Sequence, residues 1–154
     1  MSLVLRPLGD RDLDLAERLH RQAFEPMGER GWARGDFAGL LATPGVSGFV
    51  AMEDGEATGF VLARLAADEA ELLTLAVDPR WRRRGAGRAL LDAVLAWVRA
   101  AGVRTLYLEV GADNLAAQHL YRRRGFADAG RRPGYYRRGD APPADAVVMR
   151  FALS

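Results

Sequence analysis

Residues 71–101 constrain this chain more than any other segment. Leu72, Leu73, Leu75, Ala76 and Val77 make an apolar run that Asp78 and Pro79 stop, the pattern of a strand. Leu90, Leu91, Val94, Leu95 and Val98 then fall on one stripe of period 3.6, and Gly102 stands where a helix ends, so residues 85–101 read as an amphipathic helix. Between strand and helix lies Arg82-Arg83-Arg84-Gly85-Ala86-Gly87-Arg88. The first amides of a helix have no internal acceptor and sit at the positive end of its dipole, so they bind anions. Gly85 and Gly87 carry no Cβ and let oxygens approach those amides, although a loop needing only flexible backbone would show the same glycines. The turn lacks the third glycine of a dinucleotide fingerprint and the lysine of a Walker loop.

The placement of charge agrees with an anionic ligand. All 22 basic residues are Arg, so neither a Schiff-base lysine nor a phosphate-loop lysine is available. The net charge of +2 conceals −7 over residues 1–79 and +9 over residues 80–154. A nucleic acid or a phosphorylated cofactor is therefore the expected partner of the second half. At 154 residues the chain is the size of about one domain, and such a domain needs neither disulfide nor metal to fold. It contains no Cys and two His, which excludes thiol catalysis and thiolate metal sites and argues against a metal centre. The start MSLVLRPLGD lacks a cationic segment followed by a long apolar run, and no 18-residue apolar stretch occurs, so a cytoplasmic protein with no membrane partner is expected.

The remaining elements alternate strand and helix. Residues 3–8 read as a strand, and Asp10 or Asp12 is placed to cap a helix running to Phe24. A short helix is predicted over residues 33–41. Residues 47–52 and 57–65 are strands joined through Asp54-Gly55, a hairpin signal, and with residues 71–77 they make an antiparallel meander. Residues 104–110 are a strand, and Asn114 caps a helix to Arg124 that Gly125 ends. Residues 127–132 and 146–152 form a last strand pair around a loop rich in Pro, Gly and Tyr. The prediction is one mixed α/β domain over residues 1–154.

Arg82-x-x-Gly85-x-Gly87 behind Leu75-Ala76-Val77 resembles the acetyl-CoA pyrophosphate loop of the GCN5-related N-acetyltransferases (GNAT). Leu106-Tyr107-Leu108-Glu109-Val110, Asn114, Ala116-Ala117, Leu120-Tyr121 and Gly125-Phe126 are similar to the RimI branch of that family, the ribosomal-protein-alanine N-acetyltransferases. Tyr135-Tyr136, Asp145-Ala146 and Met149 extend the resemblance, which covers residues 69–151, with Trp32 and Phe37 as faint counterparts earlier. After the Glu-Val pair, where relatives often carry a basic or polar residue, this chain has Gly111-Ala112-Asp113. The resemblance implies a GNAT fold: a mixed, mostly antiparallel sheet of about six to seven strands, helices on both faces, and a V-shaped splay between the two central strands.

It also implies acetyl transfer from acetyl-CoA to an amine. That reaction needs a positioned donor, a neutral amine, a stabilised oxyanion and a proton for the departing thiolate. By resemblance the amides from Arg83 through Gly85, Ala86 and Gly87 to Arg88 hold the pyrophosphate, with Arg82, Arg83, Arg84 and Arg88 side chains nearby. Leu75, Ala76 and Val77 bond the pantetheine, and the Val77 amide faces the thioester oxygen. Glu109 is the candidate general base, sufficient for an α-amine whose pKa is about 8. Tyr121, two helical turns after Asn114 on the same face, is the candidate acid toward the CoA sulfur, and Asn114 bonds the cofactor while capping.

Each of these three residues taken alone has a plainer reading: a solvated strand Glu, a core aromatic, a cap. Their joint occurrence beside the phosphate loop favours the chemical one. The Arg122-Arg123-Arg124 run reads as mostly solvated, His20 and His119 as surface residues, and Trp97 as packing. The expected acceptor is the N-terminal alanine of a small-subunit ribosomal protein. It would lie between the first two helices and the loop of the last strands, with Tyr136 beside Tyr135 as contact and Glu25, Glu29 and Asp36 attracting a basic tail. A small-molecule amine is the alternative acceptor. An Arg-rich nucleic-acid module is the non-enzymatic alternative, disfavoured because the aromatics do not interleave with the Arg runs. The oligomeric state stays open.

Overall fold

The computed structural model describes residues 3–153. In chain order the elements are β1 (Leu3–Pro7), α1 (Leu13–Phe24), α2 (Arg34–Leu41), β2 (Val46–Glu53), β3 (Glu56–Ala66), β4 (Glu69–Val77), α3 (Ala86–Ala100), β5 (Thr105–Gly111), α4 (Leu115–Arg124), β6 (Ala127–Arg138) and β7 (Ala141–Ala152). The strands make one seven-stranded sheet in the order β1-β2-β3-β4-β5-β7-β6. Every neighbouring pair is antiparallel except β4 and β5, which run parallel. Among the described residues no helix is long and apolar enough to cross a membrane.

Both faces of the sheet are covered, and β3 shows why its sequence is apolar throughout. Val61 and Ala63 point into a core shared with Leu90, Leu91, Val94, Leu95 and Val98 of α3. Phe60 and Leu62 point the other way, against Leu13, Ala16 and Leu19 of α1 and Phe37 of α2. Successive strand side chains alternate faces, so a strand buried on both loses its polar alternation. Each large side chain so buried contributes about 2 kcal/mol of transfer free energy before the entropy of ordering is subtracted.

One residue of β4 sets the geometry of the centre. Leu62 of β3 pairs with Thr74 but the next residue, Ala63, pairs with Leu72, so Leu73 is an extra residue on β4. A bulge of one residue reverses which face the following side chains take. Ala70 and Leu72 accordingly lie in the α3 core, whereas Ala76 lies in the core of α1 and α2. At the same point β4 parts from β5. The two strands pair only at Ala70 with Leu106 and Glu71 with Tyr107, while β4 stays paired with β3 through Val77. The predicted splay is thus present, opening from residue 72 onward.

Two local expectations are corrected. Residues 133–145 are not an open loop: β6 runs on to Arg138 and β7 starts at Ala141, around a turn in which Gly139 takes φ +59°. Proline is tolerated here because β6 is the sheet's edge, with register shifts around Pro133. Pro142 and Pro143 lie beyond Ala146, where β7 ceases to pair with β5. Neither Asp10 nor Asp12 caps α1 with its side chain. The Asp12 carboxylate turns back to accept from the Gly9 N–H at 2.9 Å and from Arg6 at 2.8 and 2.9 Å, and that guanidinium holds its carboxyl below the usual range.

Candidate active site

At the C-terminal end of β4 the chain turns sharply into α3. The buried Asp78 carboxylate accepts from the Arg80 backbone N–H and guanidinium, both at 2.9 Å, and Arg80 holds it below the ordinary carboxylate range. Arg83 and Gly85 then take left-handed conformations, φ +64° and +89°, which bring the backbone round to the helix start. The backbone N–H groups of Arg83 through Arg88 have no acceptor among the described residues, and Gly85 caps with no side chain. A Cβ on Gly87 would stand 3.2 Å from Leu120 Cδ2 and 3.8 Å from Val77 Cγ2, closing the gap between the helix start, β4 and α4. Free donors at a helix start suit an anionic group. Arg82, Arg83, Arg84 and Arg88 are exposed, with Arg84 over the Trp81 ring at 4.8 Å and Arg88 3.3 Å from Asp92. The side chains of Ala76 and Ala86 are buried in the two cores, so only their backbone can face a ligand.

The splay opens into a cavity of about 670 Å³ that Leu75, Glu109, Asn114, Tyr121 and Tyr136 all line. Five of the predicted site residues are thereby brought together, while Ala76, Val77 and the loop from Arg82 to Arg88 lie outside that lining. Asn114 caps α4, accepting from the Ala117 N–H at 3.2 Å. The buried Gln118 amide donates to the carbonyls of Gly111 and Ala112 at 2.9 and 3.0 Å, fixing the turn from β5 into α4. Tyr121 is 5% exposed, with its ring 5.7 Å from Phe126, and its hydroxyl has no hydrogen-bond partner among the described residues. Burial pushes that phenol well above its ordinary pKa, so it stays protonated. Glu109 accepts from Arg132 Nη1 at 2.7 Å through Oε1, and its Oε2 is buried without a partner.

Three features of the cleft were not legible in the residue pattern. Arg138, which no sequence feature singled out, is 8% exposed. It donates to Asp113 at 2.7 and 2.9 Å and to Glu29 at 3.3 Å, tying β6, the β5–α4 turn and the α1–α2 connection together. The Gly111-Ala112-Asp113 segment that departs from relatives takes part in this clamp, since a Cβ on Gly111 would sit 2.6 Å from Arg138 Nη2. Glu29 and Asp36 have internal partners, Arg138 and the Ala33 N–H, so of the three acidic residues assigned to a basic tail only Glu25 has none here. Burial raises the Glu29 carboxyl against the opposing pull of Arg138.

His20, expected at the surface, is 1% exposed. It stacks on Trp32 at 4.7 Å and lies 4.4 Å from Phe24, and its Nδ1 accepts from the Trp32 N–H at 3.1 Å, which places any ring proton on Nε2. Helical periodicity gave no sign of it because a neutral imidazole packs like an aromatic. Burial lowers its pKa to about 4. Below about pH 6.5 an unfolded chain binds a proton that folded His20 refuses until about pH 4. Stability should therefore fall through that window, with a slope of at most about 1.4 kcal/mol per pH unit for one proton. Urea midpoints from pH 7 to pH 4.5 should show a shallower slope for His20→Gln, and parallel slopes would remove His20 as the cause.

Comparison with known proteins agrees with this geometry. The sequence model of the acetyltransferase (GNAT) family matches residues 13–126. The chain is 40% identical over 106 residues to the [ribosomal protein bS18]-alanine N-acetyltransferase of Escherichia coli K12, covering 69% of this chain and 71% of that one. The crystal structure of the ribosomal-protein-S18-alanine N-acetyltransferase from E. coli superposes with a TM-score of 0.89 at 33% identity, over 99% of this chain and 95% of that one. Arabidopsis thaliana NAA60 in complex with acetyl-CoA superposes at 0.83 with 25% identity, over 99% of each chain. The chain belongs to the acetyltransferase (GNAT) family, on the side of the ribosomal-protein-alanine N-acetyltransferases, and is an acyltransferase.

Proposed function

We propose that residues 1–154 form one catalytic domain that transfers acetyl from acetyl-CoA directly to a protein N-terminal α-amine, the acceptor being the N-terminal alanine of a small-subunit ribosomal protein in the cytoplasm. The observation that carries this is the cavity at the β4–β5 splay, lined by both Glu109 and Tyr121. The bS18-alanine specificity of the similar E. coli enzyme supports the acceptor.

Acetyl-CoA supplies a thioester whose carbonyl accepts the amine. The amides from Arg83 to Arg88 bind its phosphates, and the backbone of Leu75, Ala76 and Val77 faces the open side of β4 where the pantetheine lies. The Glu109 carboxylate takes a proton from the acceptor ammonium, and the amine so freed forms the N–C bond. As the C–S bond breaks, Tyr121 gives its phenolic proton to the sulfur, and the second proton of the nitrogen, shed as the neutral amide forms, restores the phenol. Burial keeps the phenol protonated in the resting site, so its proton is present when the thiolate forms. Asn114 and Gln118 hold the turn that joins β5, which carries Glu109, to α4, which carries Tyr121. Tyr135 and Tyr136 stand at the cleft in a T-shaped pair 5.0 Å apart, and Tyr136 contacts the acceptor.

The test is CoA release with a panel of N-terminal peptides beside small amines. Basic peptides beginning with Ala should exceed small amines in kcat/KM by at least about 100-fold, equivalent to roughly 2.7 kcal/mol of transition-state discrimination. A preference for small amines would replace the acceptor assignment.

A further inference from the structure

The mechanism above leaves Arg132 unused, although it makes the only side-chain hydrogen bond to Glu109 among the described residues. Arg132 lies on the edge strand β6 and Glu109 on β5, with β7 between them. Glu109 pairs with Val148 and Arg132 with Ala146, two positions apart on the same face of β7. The guanidinium therefore reaches across β7, past Ala146 and Val148, to place Nη1 2.7 Å from Glu109 Oε1. It is held from its other side by the Tyr135 ring, 4.3 Å from the guanidinium carbon. The Arg132 side chain is exposed, and an ion pair with an exposed partner adds little to stability, so the contact is poorly explained as a structural brace.

Its effect on Glu109 is specific. A carboxylate free to rotate about its last bond offers either oxygen in many directions. With Oε1 engaged by a charge-assisted bond, the carboxylate plane is set and one oxygen remains. That oxygen, Oε2, is buried and has no partner, a state that costs free energy unless a donor arrives. Glu109 lines the cavity together with Arg132, Tyr135 and Tyr136, so a donor to its carboxylate approaches from this side. A primary ammonium fits, being cationic, compact and able to leave a proton behind.

We infer that Arg132 is a positioning residue for the transfer reaction, pinning Glu109 Oε1 so that the carboxylate is held in one orientation beside the acceptor site, with Tyr135 holding the guanidinium in place. This rests on the reading of Glu109 as the base. It also gives Tyr135 a task separate from touching the acceptor. Lysine at 132 would supply charge without the planar fork and without the stack on the ring.

The experiment is a double-mutant cycle on the full chain, with acetyl-CoA and a basic peptide beginning with Ala. It compares wild type, Arg132→Ala, Glu109→Gln and the double variant, with Arg132→Lys alongside and thermal unfolding confirming that each is folded. Arg132→Ala should lower kcat about 10-fold while changing peptide KM by less than about threefold, the mark of a misoriented group and not of a lost binding contact. Arg132→Lys should recover part of the loss. In the Glu109→Gln background the same Arg132→Ala change should alter kcat by less than about twofold, because the group it orients is gone. An undiminished 10-fold loss in that background overturns the inference, as does a rise in KM alone, which would make Arg132 an acceptor contact, or a rise in kcat, which would make it an obstruction. Unchanged kcat in Glu109→Gln by itself refutes Glu109 as the base, and the positioning role with it.

Discussion

Tyr121→Phe is expected to lower turnover by about 100- to 1000-fold while leaving acetyl-CoA affinity within about twofold, the loss typical of removing a positioned general acid. The argument is geometric before it is electrostatic. The Tyr121 ring is packed in the core formed by α3, β5 and Phe126, and a phenylalanine ring fills the same volume. The hydroxyl makes no hydrogen bond to another described residue, so its removal strands no buried partner and the fold should be unaffected. What is lost is one proton held at the wall of the cavity that Glu109 also lines, kept on the phenol by burial. Single-turnover CoA release would report the chemical step and calorimetry the affinity. Undiminished turnover would take Tyr121 out of the acid role and leave it as packing.

The second large effect is expected at the start of α3. Gly87→Trp should weaken acetyl-CoA binding by at least about 100-fold, which corresponds to about 2.7 kcal/mol. The Cβ of any residue at 87 is directed at Leu120 and Val77, 3.2 and 3.8 Å away, so an indole placed there occupies the gap between the helix start, the end of β4 and α4. Gly87→Ala adds only that Cβ and should be far milder, since the atom it meets is the end of a flexible leucine. The pair of variants separates blocked space from altered backbone. Gly87 needs no left-handed conformation, unlike Gly85 at φ +89°, so a side chain at 87 acts through volume alone. Retained affinity in Gly87→Trp would sink the assignment of this turn to the pyrophosphate.

These two residues were legible in the sequence for different reasons. The strand, glycine turn and helix around Gly87 are neighbours in the chain, so their pattern survives in one dimension. Tyr121 carries no such signal. An aromatic on a ten-residue helix reads equally as core, and it is in fact buried; only its company with Glu109 and Asn114 raised it, and the cavity then brought the three together. The V-shaped opening was expected from the family resemblance, but its origin in an extra residue at Leu73 was hidden. The run Leu72-Leu73 followed by Leu75-Ala76-Val77 reads as a continuous apolar strand, and a strand covered on both faces shows no alternation whose reversal would betray a bulge.

By itself the sequence determined what depends on near neighbours: the stripe of α3, the Asp54-Gly55 hairpin, the caps at Asn114 and Gly125, and the glycine turn before α3. These follow from backbone preference and periodicity within a few residues. Tertiary structure alone decided which arginines work. Arg132 and Arg138 are written in the chain like Arg131 and Arg137, yet one reaches across β7 to Glu109 and the other is buried between Asp113 and Glu29, while Arg137 holds neither contact. That difference is set by strand register and by the approach of segments up to 109 residues apart, as between Glu29 and Arg138. Neither quantity has a local trace, because a side chain's charge is fixed by its chemistry and its partner by the fold.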